Sequence, residues 1–203
     1  MLVSFSIEEH FSSAWKRFKK SSVFWICISL FSIAIGAPGS SFSSPNMMIV
    51  FTAISMYFSA AIVLMSINYM KGDQVTINNL IDINFLTFIH YFLVSILCGI
   101  VVFIGAIFLI LPGLYLASRL IFAQYLVVDK KITFDQAIME SWVLTKGNEW
   151  NLINFLLVTF LVFITGFFAL FVGLLVAIPV VSLATASLYL CFTKNHSKTP
   201  LEL

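Results

Sequence analysis

Along the chain, long apolar runs alternate with short segments that hold nearly all of its charge. The runs cover residues 22–37, 47–70, 88–111, 113–128, 152–172 and 173–192. A bilayer core about 30 Å thick is crossed by roughly 20 apolar residues in a helix. Each run therefore predicts a transmembrane helix, the first and fourth of them short. Pro112-Gly113 predicts a tight turn between the third and fourth. No polar loop divides the fifth from the sixth, and Pro179 predicts a bend or a later start in the sixth. Lys16, Arg17, Lys19 and Lys20 ahead of the first run resemble the basic start of a signal peptide. A patterned helix precedes them, however, and Pro38 suits a cleavage site poorly, so the expectation is a retained first span.

The polar segments have a pattern of their own. Ser6, Thr76 and Thr133 are good helix N-cap residues. Counted from each, offset one is Ile7, Ile77 or Phe134, offset five is Phe11, Ile81 or Ile138, and offset nine is Trp15, Phe85 or Trp142. Just before the last stands Ala14, Asn84 or Ser141. Ser6-Ile7-Glu8-Glu9 and Thr133-Phe134-Asp135-Gln136 both read as capping boxes. Offsets one, five and nine share one helical face. The pattern predicts three amphipathic helices lying in the interface, anchored by Trp15, Phe85 and Trp142. Each leads into two apolar runs joined by an uncharged turn. The predicted fold is an all-α integral membrane protein in a single domain of residues 1–203. Its six transmembrane helices are arranged as three repeats of a cytoplasmic amphipathic helix plus a hairpin, at about 5–70, 75–128 and 132–193. All copies have the same orientation, so the repeats predict a quasi-threefold axis along the membrane normal rather than an inverted pair.

Charge fixes the expected orientation. Ten of the eleven Lys and Arg residues lie in 1–21, 71–87, 129–151 and the tail after Phe192. The turns on the other side carry no charge. By the positive-inside rule both termini are expected in the cytoplasm, in a bacterial inner membrane. Only 10% of residues are charged and 61% are hydrophobic, too apolar for a surface that meets water alone. A net charge of +2 gives no footprint for nucleic acid. Cys27, Cys98 and Cys191 each sit inside an apolar run with no ligand spacing, and read as small apolar fillers.

Arg119 is the one charge well inside a run. Placing it there costs at least about 2.5 kcal/mol on the insertion scale. Glu140, Asn68, His90 or freed carbonyls are its expected partners. One reading makes it a staple holding the third amphipathic helix to the bundle, and another makes it an anion contact in a polar cavity. His90 reads as a hydrogen-bonded interface residue rather than a ligand, and Asn68, Tyr69 and Gln124 as polar groups satisfied near span ends. Ala169, Gly173 and Ala177, like Ser55 and Ser59, have the spacing of close helix packing. The sequence has no HExxH, no P-loop and no paired intramembrane acids, so neither an enzyme nor a cofactor nor a metal is expected.

The block Leu111-Pro112-Gly113-Leu114-Tyr115-Leu116-Ala117-Ser118-Arg119-Leu120 runs on through Phe122, Val127-Val128-Asp129, Ala137, Ser141-Trp142 and Thr145-Lys146-Gly147. With Phe5-Ser6-Ile7, Ala14-Trp15 and Phe18-Lys19-Lys20 at the start, it resembles uncharacterised bacterial multi-span families related to the membrane domain of glycerophosphodiester phosphodiesterases. The resemblance implies a membrane module without the catalytic barrel, and matches Arg119, Asp129, Trp142 and Lys146 to recurrent family positions. The expected function is a non-enzymatic module that organises membrane lipid or another membrane protein at the cytoplasmic leaflet. Lys16, Arg17, Lys19 and Lys20 would contact anionic headgroups. The alternative is a small transporter or channel with a polar cavity around Arg119.

Overall fold

A computed structural model describes residues 5–36, 45–74, 83–108, 110–169 and 172–197. The described residues are helical apart from short connections. The helices are α1 (Ile7–Lys20), α2 (Ser22–Gly36), α3 (Pro45–Lys71), α4 (Phe85–Phe108), α5 (Ile110–Leu120), α6 (Ala123–Lys130), α7 (Phe134–Leu144), α8 (Glu149–Phe168) and α9 (Val172–Ser197). Five stretches are long and apolar enough to cross a membrane: Asn46–Lys71, Phe85–Ile107, Leu111–Lys130, Glu149–Phe168 and Gly173–His196. A sixth is reached if α1 and α2, which meet at a 97° bend, count together. The predicted runs thus correspond to α2, α3, α4, α5 with α6, α8 and α9.

α9 is the hub, touching α1, α2, α3, α7 and α8. It runs unbroken through Pro179, whose missing N–H leaves the Leu175 carbonyl without its helical donor. Leu183, Ala184, Ala186, Leu188 and Tyr189 on α9 are fully buried. α6 joins this core with Ala123, Leu126 and Val127 sealed from solvent. Aromatic rings fill the join: Phe122 lies 5.9 Å from Tyr189 and 5.2 Å from Phe192, ring centre to ring centre.

Several expectations about local structure change. Pro112 and Gly113 fall inside the first turn of α5 rather than in the turn before it. Proline is tolerated there because the first helical N–H groups have no partner to lose. Gly113 serves a different purpose, letting α5 close on α4. A Cβ on it would lie 2.8 Å from the Ala106 backbone nitrogen. The fourth run is interrupted at Ile121–Phe122, where α5 ends and α6 begins. Ser6 caps α1 by position, but its side chain makes no capping hydrogen bond. At Thr133 the expected capping box is present, with the Thr133 N–H donating to Gln136 Oε1 at 3.4 Å.

The buried face of the amphipathic helices lies beside the predicted one. Counted from Ser6 and Thr133, the buried offsets are four, eight and twelve: His10, Ala14 and Phe18 on α1, and Ala137, Ser141 and Thr145 on and just after α7. Trp15 and Trp142, at offset nine, are 44% and 39% exposed. Small Ala14 and Ser141 bring the backbone against the bundle, and the larger side chains fan out along the flank. Of the middle segment, residues 75–82, with Thr76, Ile77, Asn79 and Ile81, lie outside the described residues. Ile83 and Asn84 are not helical, and Phe85 opens α4 with its side chain 74% exposed.

Candidate functional site

Two charged clusters stand out on the helix ends. The first is the end of α1, where the last turn carries Arg17, Lys19 and Lys20 and the first turn carries Glu8 and Glu9. That order complements the helix dipole. Lys16, Lys19 and Lys20 are exposed. Arg17 has another task. Its guanidinium donates to the Tyr69 carbonyl and lies 5.6 Å over the Tyr69 ring, and the Tyr69 hydroxyl donates back to the Arg17 carbonyl at 2.9 Å. Arg17 therefore ties the α1–α2 bend to the end of α3, and the three lysines are the free cations. Among the described residues no carboxylate comes within ion-pair distance of them. Lys19 Nζ rests 5.6 Å over the Trp15 ring, which in turn stacks on Phe18 at 5.5 Å.

His10 sits at the other end of the same helix, its Nδ1 2.8 Å from Ser187 Oγ on α9. Burial pushes the imidazole pKa down, and the nearby Glu9 carboxylate opposes that shift.

The second cluster surrounds Arg119, which is 3% exposed at the end of α5. Its partner is Glu149, at 2.9 Å, in the first turn of α8. None of the expected partners takes that place. Glu140 instead pairs with Lys130, close to it across the α6–α7 junction. The Asn68 carbonyl accepts the Gly72 and Asp73 N–H groups that end α3. His90 stacks on Phe134 at 6.1 Å, ring centre to ring centre, and its Nδ1 is buried without a hydrogen bond. Glu149 was missed because it lies 30 residues beyond Arg119 and reads as the ordinary start of a span. The one available signal was that it is the acid nearest the opening of the fifth run.

Two more contacts complete the enclosure. The Arg119 guanidinium packs 4.5 Å from the centre of the Trp142 ring, and Gly147 N–H donates to Glu149 Oε1 at 3.0 Å. The Arg119 carbonyl, freed where α5 breaks, accepts the Ser141 hydroxyl at 2.8 Å and the Thr145 hydroxyl at 3.4 Å. Both ends of Arg119 are thus bound to α7 or its flanks. Trp142, expected as an interfacial anchor, is the lid over this guanidinium. Arg119 Nε is buried without a hydrogen-bond partner.

A third contact gathers three span ends. Asp129 on α6 accepts from Lys71 Nζ on α3 at 2.5 Å and from the Tyr189 hydroxyl on α9 at 2.8 Å. Higher in the bundle Gln124 donates to Ser95 at 3.2 Å. The three cysteines are free thiols on α2, α4 and α9. Among the described residues no group of three metal-ligating side chains comes together. Compared with family models, with curated proteins and with solved structures, the chain matches none.

Proposed function

We propose that the protein is a non-enzymatic module of the bacterial inner membrane that gathers anionic lipid at its cytoplasmic face. The observation carrying this reading is the end of α1: three unpaired lysines beside an exposed Trp15, on a helix set at 97° to the helix that follows. α2 packs back along α3, with Trp25 near Tyr69 and Phe31 near Phe58, so α1 lies across the bundle rather than along it. That is the attitude of an interfacial helix with an aromatic at headgroup depth. Each Lys near an anionic surface contributes about 1 kcal/mol of attraction.

α7 leads into the α8–α9 hairpin as α1 leads into α2–α3, and the two present the same buried offsets. This supports a repeated unit of amphipathic helix and hairpin, with both termini cytoplasmic and the middle copy the most diverged. The likeness to phosphodiesterase membrane modules points the same way, toward a membrane part without a catalytic one. The alternative of a transporter centred on Arg119 is the weaker reading, because that guanidinium is already occupied by Glu149 and Trp142.

Full-length protein reconstituted with equal phosphatidylglycerol and phosphatidylcholine, then isolated in nanodiscs, should carry phosphatidylglycerol in excess. The K16Q/K19Q/K20Q variant should erase that excess. A native protein that carries the two lipids at the bulk ratio would sink the proposal.

A further inference from the structure

An open apolar groove of about 510 Å³ follows the seam between α8 and α9. Val158 and Leu161 form one wall, Val176 and Val180 the other, and Phe11 and Trp15 of α1 close one end. Its floor is shallow because the seam is tight: a Cβ on Gly173 would lie 2.5 Å from the Gly166 carbonyl oxygen. The Thr165 hydroxyl donates to the Leu161 carbonyl at 2.8 Å, so it offers the groove no free donor. From Gly173 to Val180 the groove follows about 10 Å of helix at 1.5 Å per residue. That fits within the depth of one leaflet, about half of a 30 Å core.

The closed end also carries charge. Phe11, Trp15 and Lys19 follow one another at four-residue spacing on a single face of α1. The first two line the groove, and the third holds its ammonium 5.6 Å from the Trp15 ring. The apolar channel therefore ends at an unpaired cation. A transmembrane helix laid in the groove would satisfy its apolar walls and leave Lys19 without a counter-charge. An acyl chain with a negative headgroup satisfies both.

We infer that this groove seats one acyl chain of an anionic phospholipid whose phosphate is held by Lys19. The inference rests on the lipid-gathering reading above and names the site and ligand for it. The full chain, stripped of lipid in detergent and titrated separately with phosphatidylglycerol and phosphatidylcholine, is read by native mass spectrometry. Phosphatidylglycerol should be retained in preference, and K19Q should weaken that retention about fivefold, the weight of one basic residue at an anionic surface. V176W, which fills the groove, should lose both lipids. A phosphatidylglycerol with a photoreactive acyl chain should label peptides of α8 and α9 in the unaltered protein, a readout that stands even if V176W fails to fold. Labelling confined to other helices overturns the inference. So does unchanged retention in K19Q, and if K16Q/K20Q then abolishes the preference, the lipid-gathering reading survives without this site. An unaltered chain with no anionic preference removes both. If V176W separates a dimer while lipid retention is unchanged, the occupant is a second copy and the inference fails.

Discussion

At the scale of single residues, the buried charge explains the fold around it. Arg119 is accommodated inside the protein with Glu149 as its counter-charge and the Trp142 ring over its guanidinium. Such a pair adds little compared with an apolar pair of the same volume, but losing one member strands the other. Glu149→Ala should therefore destabilise the protein by about 3–5 kcal/mol. Trp142→Leu, which removes the ring face and keeps apolar cover, should cost about 0.5–2 kcal/mol, the range of a cation–π contact. Unfolding in a graded mixture of mild detergent and dodecyl sulfate measures both. Replacing Arg119 and Glu149 together by Met and Leu should recover most of the loss. A double variant as unstable as Glu149→Ala would show that the damage comes from broken packing and not from a stranded charge. Ser141 and Thr145 bear on the same site through the backbone, since their hydroxyls occupy the carbonyl that the α5 break exposes.

At the scale of elements, close approach is set by glycine. Gly166 and Gly173 face one another across the α8–α9 turn, as Gly105 and Gly113 do across α4 and α5. Gly173→Ala places a methyl group 2.5 Å from a backbone oxygen, which no rotamer relieves. It should cost about 1–3 kcal/mol, as overpacking does. Gly99→Ala on α4 meets nothing within 4 Å and should be neutral or slightly stabilising in the same assay. Equal losses in both would rule out the close approach as the cause. The elements themselves were largely legible in the sequence, because apolar runs of the right length and N-cap residues are local signals. The spacing of Ala169, Gly173 and Ala177 likewise announced a packing surface. The break at Ile121–Phe122 was not legible. It depends on Phe122 being drawn against Tyr189 and Phe192, about seventy residues away, while α7 supplies hydroxyls to the freed carbonyl. The buried face of α1 was displaced for a related reason. Bulky Ile7, Phe11 and Trp15 dominate a hydrophobic pattern, yet it is Ala14 whose size admits the bundle. Of the candidate site, the exposed lysines were readable from local charge, and the diversion of Arg17 to Tyr69 was a tertiary event with no local sign.

At the scale of the whole molecule, orientation turns on α2. Its 15 residues reach about 22 Å at 1.5 Å per residue, short of the roughly 30 Å core. Taken alone it falls below the length of the other spans, and only with α1, across the 97° bend, does the pair pass as a sixth. The distribution of charge argues that α2 crosses nonetheless, because 1–21, 71–87 and 129–151 all carry Lys or Arg and the intervening segment 38–46 carries none. Local thinning of the bilayer costs only fractions of a kcal/mol per Å of mismatch, less than moving four basic residues to the outer face. With Cys27, Cys98 and Cys191 replaced by Ala, Ser41→Cys should react with an impermeant maleimide in intact cells. Ser13→Cys and Ser197→Cys should react only after the membrane is opened. A re-entrant α2 would instead put residues 1–21 and 38–46 on the same side, and with 71–87 still cytoplasmic the chain would have five spans with its basic start outside. Reaction of Ser13→Cys in intact cells would establish that second arrangement. It would also remove the basic end of α1 from the cytoplasmic leaflet, and with it the electrostatic argument for gathering anionic lipid there.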